Sequence, residues 1–218
     1  MIKAILFDFI GTTVKEADND VINQCFANAF SDHKIHVDPL VFSKNRGLDK
    51  KIIIENVLKE QQLLLILKES IYSSFKSNII ININKFHEND GTAEILMYLR
   101  RKGIKRGIGT GLERDVFETI SSHMDWNTAE FDYIGIATEI GKSRPEPDMI
   151  YDMMHQLSIS NPQEVIKVGD TVADIQEGKN AGVLTVVILS GTQPDLALIE
   201  EGPDFVIKSL IELKDIIS

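Results

Sequence analysis

The fold of this chain is decided by the stretch Ala4-Ile5-Leu6-Phe7-Asp8-Phe9-Ile10-Gly11-Thr12-Thr13-Val14. Its apolar run ends in an aspartate, Asp8, and a Gly-Thr-Thr turn follows. A short buried strand that delivers a carboxylate to a tight turn is a common way to build a phosphate or metal site at the carboxyl end of a parallel sheet. An ordinary strand whose aspartate caps the next segment has the same pattern, so the rest of the chain decides between the two.

Strands and helices alternate along the second part of the chain. From Asn89 onward, short apolar runs alternate with helical segments, and this order predicts a parallel sheet with right-handed crossovers. The predicted strands are residues 104–110, 133–136, 165–169, 184–189 and 205–207, and the predicted helices are residues 92–102, 114–123, 147–157, 174–182, 196–201 and 209–217. Together with the opening strand, they predict an α/β fold with a Rossmann-like parallel sheet as its core.

A helical segment separates the opening strand from the others. Between about Lys15 and Lys85 the apolar residues have helical spacing. The predicted helices cover residues 20–30, a short segment opened by Pro39, residues 50–60 and residues 61–74, and residues 79–83 could be a short strand or an extended hinge. The predicted organisation is a discontinuous core, residues 1–14 and 86–218, with a helical cap, residues 15–85, inserted after the first strand.

The composition limits the partners and the location. The chain has 218 residues and a net charge of −10, which argues against nucleic acid or an anionic membrane surface as a partner. Its single cysteine, Cys25, allows no internal disulfide and fits a reducing compartment. Met1 leads directly into a strand, so we expect no signal peptide. The longest aliphatic runs, such as Leu63–Leu67, are too short to span a bilayer. We therefore expect a cytoplasmic protein.

Charged and hydroxyl side chains stand where the predicted strands end. Because the carboxyl ends of parallel strands open on one crevice, we expect these groups to converge there. The residues are Asp8, Thr110, Gly111, Lys142, Arg144, Asp170 and Asp174.

The aspartates predict a metal site. Asp8 and Asp170, brought together, would repel one another unless a cation lay between them. Two carboxylates, a backbone carbonyl and waters form the sparse oxygen-only site that Mg²⁺ uses, and Ile10 can supply the carbonyl because it lies in a turn. Asp174 lies one helical turn beyond Asp170. It could hold a cation or a metal-bound water, or be an ordinary acid at the start of a helix.

The remaining groups predict a phosphate site. The Thr110 hydroxyl and the Gly111 amide can hold phosphate oxygens, and Arg144 or Lys142 can neutralise phosphate charge. An aspartate can itself attack phosphorus and form an aspartyl-phosphate. Each group alone has an ordinary alternative, a helix cap for Thr110 and a solvated loop charge for the two cations. Their occurrence at one edge of one sheet favours the catalytic interpretation.

These groups, in this order, resemble the four motifs of the haloacid dehalogenase superfamily of hydrolases. The first motif is similar to Phe7-Asp8-Phe9-Ile10-Gly11-Thr12-Thr13-Val14, and the second to Thr110-Gly111. The basic third motif is similar to Arg144-Pro145, and the acidic fourth to Gly169-Asp170-Thr171-Val172-Ala173-Asp174. The resemblance covers the whole chain, and the helical segment stands where this family places a cap.

The resemblance implies a role for single residues. Asp8 would be the nucleophile, and Mg²⁺ would be bound by Asp8, the Ile10 carbonyl and Asp170. Arg144 would stabilise charge on the phosphoryl group. Thr12 would join the second motif in binding the substrate.

One position departs from the phosphatases of this family. They carry a second aspartate two residues after the nucleophile, which protonates the leaving group and then activates water. Ile10 stands there and can do neither. The dehalogenases also lack this aspartate, but they use no metal and lack the acidic fourth motif, which this chain keeps in Asp170 and Asp174. The phosphonatases, which cleave the carbon–phosphorus bond of phosphonoacetaldehyde, have a small apolar residue there, and the chain resembles this branch most.

Phosphonatases use a cap lysine that condenses with the aldehyde. The resulting iminium accepts the electrons released when the carbon–phosphorus bond breaks. Lys50 falls where the family lysine falls, after Gly47-Leu48 and one further residue, with Lys51 as the alternative. Desolvation beside other cations would lower its pKa, as a nucleophilic amine requires. The ordinary alternative for Lys50 is a solvated residue in the first turn of a helix.

The surroundings of this lysine differ from the family pattern. Arg46 stands where methionine is usual, Ile53 where histidine is usual, and Leu112 where an aromatic residue is usual. Lys15 replaces an acid just after the first motif. These changes bear on the substrate more than on the fold. Arg46 could meet an acidic group on a different substrate, or be an ordinary surface charge.

The sequence therefore predicts a Mg²⁺-dependent hydrolase of the phosphonatase-like branch, acting on a small phosphonate. The alternative is a phosphatase of a small phosphorylated metabolite with another acid/base group, and a third possibility is a binding protein that has lost catalysis. The aliphatic residues Ile52–Ile54 and Leu63–Leu67 could serve a homodimer interface in the cap.

Overall fold

A computed structural model describes residues 1–17, 20–191 and 193–217 of the chain. Within these residues the larger sheet has the strand order β5-β4-β1-β6-β7-β8, and all its pairings are parallel. This confirms the predicted α/β fold with a Rossmann-like core. The strands are β1 (Ala4–Asp8), β2 (Val14–Glu16), β3 (Phe86–Glu88), β4 (Lys105–Thr110), β5 (Tyr133–Ile136), β6 (Val165–Gly169), β7 (Leu184–Ile188) and β8 (Phe205–Ile207).

The first strand lies at the centre of the larger sheet. All five residues of β1 are buried, as expected for a parallel sheet whose two faces are covered by helices. Asp8 lies opposite Gly109 of β4, and Phe7 lies opposite Val168 of β6. Because the three strands are parallel and in register, the residues that follow them share one edge of the sheet.

The helices of the second part of the chain follow the predicted order. Helices 92–102 and 114–123 have the predicted bounds, whereas the segment 209–217 is a short 3₁₀ helix followed by one turn of α-helix. The α-helices of the described residues are α1 (Val21–Asp32), α2 (Leu40–Ser43), α3 (Lys50–Glu60), α4 (Lys68–Ile81), α5 (Thr92–Lys102), α6 (Arg114–His123), α7 (Ala137–Ile140), α8 (Asp148–Gln156), α9 (Val172–Ala181), α10 (Asp195–Glu200) and α11 (Leu213–Ile216).

A two-stranded antiparallel ribbon joins the helical segment to the sheet. Val14 of β2 lies opposite Glu88 of β3, and α1 to α4 lie between these strands in the sequence. The expectation of helices alone from Lys15 was wrong here, because a three-residue strand paired with a segment some seventy residues away has no periodicity of its own. The predicted division of the chain into a core and a cap, with boundaries at residues 14/15 and 85/86, stays a prediction. Residues 18 and 19 of the predicted cap, and residues 192 and 218 of the predicted core, lie outside the described residues.

The predicted helix over residues 61–74 was wrong in its bounds. Gln62 has a left-handed φ of 56°, and the amide of Leu63 bonds to the carbonyl of Leu58. These features end α3, as is common at helix C-termini. The apolar run that follows forms a turn and the 3₁₀ helix Leu65–Leu67, so α4 begins only at Lys68.

The proposed strand or hinge over residues 79–83 was also wrong. Ile79 is buried inside α4 at helical spacing from Phe75, and the helix continues to Ile81. The burial of one face outweighs the β-branched character of the isoleucines.

Aromatic stacking fills the interior of the helical segment. The Phe26 ring stacks on Phe42 with centroids 5.0 Å apart and on Phe75 at 4.2 Å. Part of the apolar run faces outward, because Leu64 is 70% exposed and Ile66 is 85% exposed. A homodimer through this surface stays a prediction. Among the described residues, every helix is too short or too polar to cross a bilayer.

Candidate active site

Three aspartates lie together at the carboxyl edge of the sheet. Asp8 ends β1, Asp170 directly follows β6, and Asp174 lies in the first turn of α9. One carboxylate oxygen from each lies within 4.8 Å of the others. All three side chains are buried. The structure therefore brings together the acids of the first and fourth motifs.

The Asp170 carboxylate is enclosed by two glycines. A Cβ on Gly11, whose φ is +103°, would lie 2.1 Å from Oδ2, and a Cβ on Gly191 would lie 2.0 Å from it. Only glycine allows this approach. The hydroxyl of Thr12 donates to Oδ1 at 3.0 Å. The buried Oδ2 has no hydrogen-bond partner among the described residues, and a buried carboxylate oxygen requires one.

The electrostatics of the cluster fit a bound cation. Burial, with the negative charges of Asp8 and Asp174, raises the pKa of Asp170 well above its ordinary value. Burial also raises the pKa of Asp8, although the Arg144 charge opposes it. A divalent cation would favour both charged forms and give the free oxygen its partner. The Ile10 carbonyl accepts no hydrogen bond from the rest of the described chain, so the donor set is the oxygen-only kind that suits Mg²⁺.

Arg144 lies against the first aspartate. Its Nη1 donates to Asp8 Oδ1 at 2.6 Å and its Nη2 to the Gly109 carbonyl at 2.8 Å. Its Nε donates to Glu177 Oε2 at 3.0 Å. The guanidinium is 2% exposed, and these acceptors fix its plane beside the expected point of attack on phosphorus. Lys142, the alternative cation, is instead exposed and pairs with Asp148.

A second buried cation supports this arrangement and was missed by the sequence analysis. The Nζ of Lys167, inside β6, lies 2.9 Å from Asp174 Oδ1 and 3.1 Å from Glu177 Oε2. The other oxygen of Asp174 accepts from the Thr171 hydroxyl. Burial raises the pKa of Asp174, but Arg144 and Lys167 outweigh it and hold the pKa below its ordinary value. A lysine within an apolar five-residue strand was the available signal.

Lys50 lies at the same edge of the sheet. The carboxylate of Asp49 accepts the amides of Lys51 and Ile52 at 2.8 and 3.0 Å and so caps α3. This cap places Lys50 in the first turn, where its Nζ donates to the Leu48 carbonyl at 3.1 Å. Lys50 is 9% exposed. The ordinary alternative, a solvated lysine, is therefore wrong for this residue.

The two neighbouring lysines have different environments. Burial and the positive charge of Arg46 lower the pKa of Lys50 to about 8. Lys51 instead forms ion pairs with Glu69 and Glu113 at 2.9 and 3.1 Å, and these raise its pKa. Lys50 is thus the amine suited to nucleophilic attack near neutral pH.

The loop before α3 is packed against the core. The amide of Lys50 donates to the Gly111 carbonyl at 3.4 Å, and the amide of Asp49 donates to Ser143 Oγ at 2.8 Å. A Cβ on Gly111 would lie 2.6 Å from the Leu48 carbonyl oxygen. The second-motif glycine thus allows the loop before α3 to pack closely against the end of β4.

Two hydroxyls predicted to bind substrate have partners within the protein. Thr12 donates to Asp170, as described above. The hydroxyl of Thr110 accepts the amide of Leu112 at 3.1 Å, and its side chain is 3% exposed. Their roles in substrate binding stay predictions, as do those of Gly111 and Arg46.

The sequence profile of the haloacid dehalogenase-like hydrolases matches residues 5–188. The chain belongs to this family of hydrolases. A phosphonoacetaldehyde hydrolase of Bacillus mycoides is 28% identical over 92% of this chain and 80% of its own length. Another, of Bacillus cytotoxicus, is 32% identical over 56% of this chain, and that match spans 50% of its own length.

Solved structures of the family show the same fold. A phosphonoacetaldehyde hydrolase-like protein of Oleispira antarctica has a TM-score of 0.87 and 20% identity, covering 99% of this chain and 91% of that protein. A hydrolase of Pseudomonas syringae has a TM-score of 0.86 and 16% identity, covering 98% of this chain and 96% of that protein. At such identities the likeness concerns the fold alone.

Proposed function

We propose that this hydrolase is Mg²⁺-dependent and cleaves the carbon–phosphorus bond of phosphonoacetaldehyde or a related small phosphonate. One observation carries the proposal. The buried amine of Lys50 lies at the edge that holds Asp8, close enough for each charge to shift the other's pKa. The relatives named phosphonoacetaldehyde hydrolase support the same reaction.

Lys50 prepares the substrate. Its neutral amine attacks the carbonyl carbon, and loss of one water gives an iminium. The lowered pKa leaves a useful fraction of neutral amine near pH 8. The iminium is the electron acceptor that a carbon leaving group needs.

Asp8 transfers the phosphoryl group. A carboxylate oxygen attacks phosphorus, the carbon–phosphorus bond breaks, and its electron pair converts the iminium into an enamine. Asp8 then carries the phosphoryl group. The enamine carbon takes a proton, and hydrolysis frees acetaldehyde and Lys50. A second water cleaves the aspartyl-phosphate, so the whole reaction consumes one water.

This route explains why an isoleucine can stand at position 10 in place of an acid. The leaving group is a carbon whose electrons pass into the iminium, so no acid has to protonate an oxygen as the bond breaks. Ile10 lacks that acid, while its carbonyl has no hydrogen-bond donor among the described residues and can meet a cation. Mg²⁺ held by Asp8, Asp170 and this carbonyl would supply positive charge at the transferring phosphoryl group, and Arg144 would neutralise its oxygens.

The proposal is tested by trapping with phosphonoacetaldehyde and borohydride. We expect one reduced adduct, located on Lys50 by peptide mass spectrometry, together with Mg²⁺-dependent phosphate release. Lys50→Arg should abolish both. Lys51→Arg is the matched control and should keep both, because that side chain forms surface ion pairs. Neither adduct nor phosphate from the unaltered protein would overturn the proposal.

The alternative is hydrolysis of a small phosphate monoester. The same buried carboxylate cluster would serve that chemistry. A panel of monoesters with Mg²⁺ separates the two, because turnover that survives in Lys50→Ala would favour the phosphatase.

A further inference from the structure

One guanidinium nitrogen of Arg46 is hydrogen-bonded, and another has no partner among the described residues. It lies in the loop between α2 and α3 and is 4% exposed. Its Nη2 donates to Glu16 Oε1, and the amide of Ile22 donates to Glu16 Oε2 at 2.6 Å. Its Nη1 is buried and has no hydrogen-bond partner among residues 1–17, 20–191 and 193–217. A buried charged donor without an acceptor is destabilising unless a ligand supplies one.

The loop that carries Arg46 packs against Arg144 and Thr171. The carbonyl of Gly47 accepts Arg144 Nη1 at 3.2 Å, and a Cβ on Gly47 would lie 2.4 Å from Thr171 Oγ1. The charges of Asp170 and Asp8 act on the guanidinium. The free donor therefore belongs to the same site as Lys50, which ends this loop.

We propose that Arg46 binds a carboxylate on the carbonyl carbon of the substrate, so that the preferred substrate is a 2-oxo acid with a phosphonate on C3 rather than an aldehyde. The inference rests on the proposed function. It assigns Arg46 as a specificity-determining residue.

The position of Arg46 decides which substrate group it meets. The phosphoryl group lies at Asp8, where Arg144 already supplies a guanidinium. The carbonyl carbon lies at Lys50, on the same short loop as Arg46. The free Nη1 of the guanidinium can donate to a carboxylate oxygen. Its charge also offsets the carboxylate, which would otherwise oppose electron flow from phosphorus into the iminium.

The chemistry is unchanged by the extra group. Lys50 forms the iminium at C2 with loss of water, and Asp8 attacks phosphorus. The electron pair of the carbon–phosphorus bond passes to C3, which takes a proton and becomes a methyl group. Hydrolysis then frees pyruvate from Lys50 and phosphate from Asp8.

The test compares 3-phosphonopyruvate with phosphonoacetaldehyde in the full chain with Mg²⁺. We expect kcat/KM to favour the 2-oxo acid by at least about tenfold, and Arg46→Met to reduce this ratio about 100-fold, mostly through KM. Arg46→Lys should restore part of the ratio. A ratio between substrates is independent of the fraction of folded enzyme. The double variant Glu16→Gln, Arg46→Met should give the same ratio as Arg46→Met without leaving an unpaired buried carboxylate.

The outcomes separate this inference from the proposed function. Arg114→Met, which removes an exposed pair with Glu139, should leave the ratio unchanged. If the protein turns over phosphonoacetaldehyde but Arg46→Met leaves the ratio of the two kcat/KM values unchanged, the role of Arg46 is overturned. The proposed function then still stands. An equal loss on both substrates also overturns it, because Arg46 would then act on a step that both substrates share, either attack by the Lys50 amine or binding of the phosphoryl group. Failure of both substrates, with no adduct on Lys50, overturns the two together.

Discussion

At the scale of one residue, Lys50 shows how burial and neighbouring charges change the pKa of an amine. Burial and the Arg46 charge lower its pKa to about 8, with a smaller lowering by Arg144, although the charges of Asp8 and Asp49 oppose this. The positive neighbours disfavour the ammonium form, because it would be a further cation in a buried site. The resemblance to the phosphonatases could predict this position, but not the loop packing that desolvates it.

The first prediction follows from the direction of that shift. Below about pH 8 the fraction of neutral amine, the form that attacks a carbonyl, falls about tenfold per pH unit, so kcat/KM for phosphonoacetaldehyde should rise about tenfold per pH unit and level off above about pH 8. Arg46→Met removes a positive neighbour and should move the profile to higher pH. Initial rates of phosphate release from about pH 6 to about pH 9 give the profile. A flat profile over that range would contradict an essential neutral amine.

The second prediction concerns Ile10. Ile10→Asp places a carboxyl group where phosphatases of this family carry one, so hydrolysis of a monoester such as p-nitrophenyl phosphate should rise about 100-fold. Ile10→Asn is the matched control, since it has nearly the same shape and no acid. An equal gain in both variants would show that polarity, and not proton transfer, limits the monoester reaction.

The sequence predicts some residues of the site and misses others. Arg144, in the loop between α7 and α8, is identified by the basic third motif, whereas Asp8 and Asp170 follow from strand ends, because the carboxyl edge of a parallel sheet collects them. Lys167 and Glu177 do not, because nothing in a local pattern shows that their side chains meet at 3.1 Å beneath Arg144. Buried ion pairs depend on tertiary packing.

At the scale of elements, β6 and α9 carry that buried network. Lys167 within β6 is 1% exposed and faces Asp174 and Glu177 of α9, whose side chains are 1% and 0% exposed. The Nε of Arg144 lies 3.3 Å from Asp174 Oδ1 and 3.0 Å from Glu177 Oε2. The strand and the helix thus place two cations between buried acids and keep Arg144 in place beside Asp8.

The third prediction tests this pair of elements. Lys167→Met leaves two buried carboxylates with one cation, so the free energy of unfolding should fall by about 3–5 kcal/mol. The double variant Lys167→Met, Glu177→Gln removes one charge of each sign and should recover part of the loss. Urea unfolding followed by circular dichroism measures both. A double variant less stable than the single one would contradict charge imbalance as the cause.

Element boundaries show where sequence patterns are sufficient. The bounds of β5, β6 and β8 match the predicted strands, because each is a short apolar run between polar or glycine-containing turns. The start of α4 and the strand β2 could not be predicted in this way. The first depends on the left-handed turn at Gln62, and the second on pairing with β3 across the whole helical segment.

At the scale of the whole molecule, the site is assembled by contact between the loop that precedes α3 and the strand ends of the larger sheet. The backbone of residues 46–50 meets the residues that follow β4 and β6. The amide of Lys50 bonds to the Gly111 carbonyl, and Gly47 closely approaches the Thr171 side chain. The sequence predicts that a cap exists, but the contact depends on glycines at both surfaces. The predicted cap would exclude bulk water from the site when it closes.

The fourth prediction separates closure from chemistry. Gly111→Ala would place a Cβ 2.6 Å from the Leu48 carbonyl oxygen and 3.3 Å from the Asp49 Cα, so the loop has to move away although every catalytic side chain remains. We expect kcat to fall about 100-fold with little change in the unfolding midpoint, and Lys50 to react faster with an amine-acylating reagent. Ser143→Ala is the control, because it removes one hydrogen bond of the same contact without a clash. Unchanged kcat in Gly111→Ala would mean that the contact between the loop and β4 is not the catalytic arrangement.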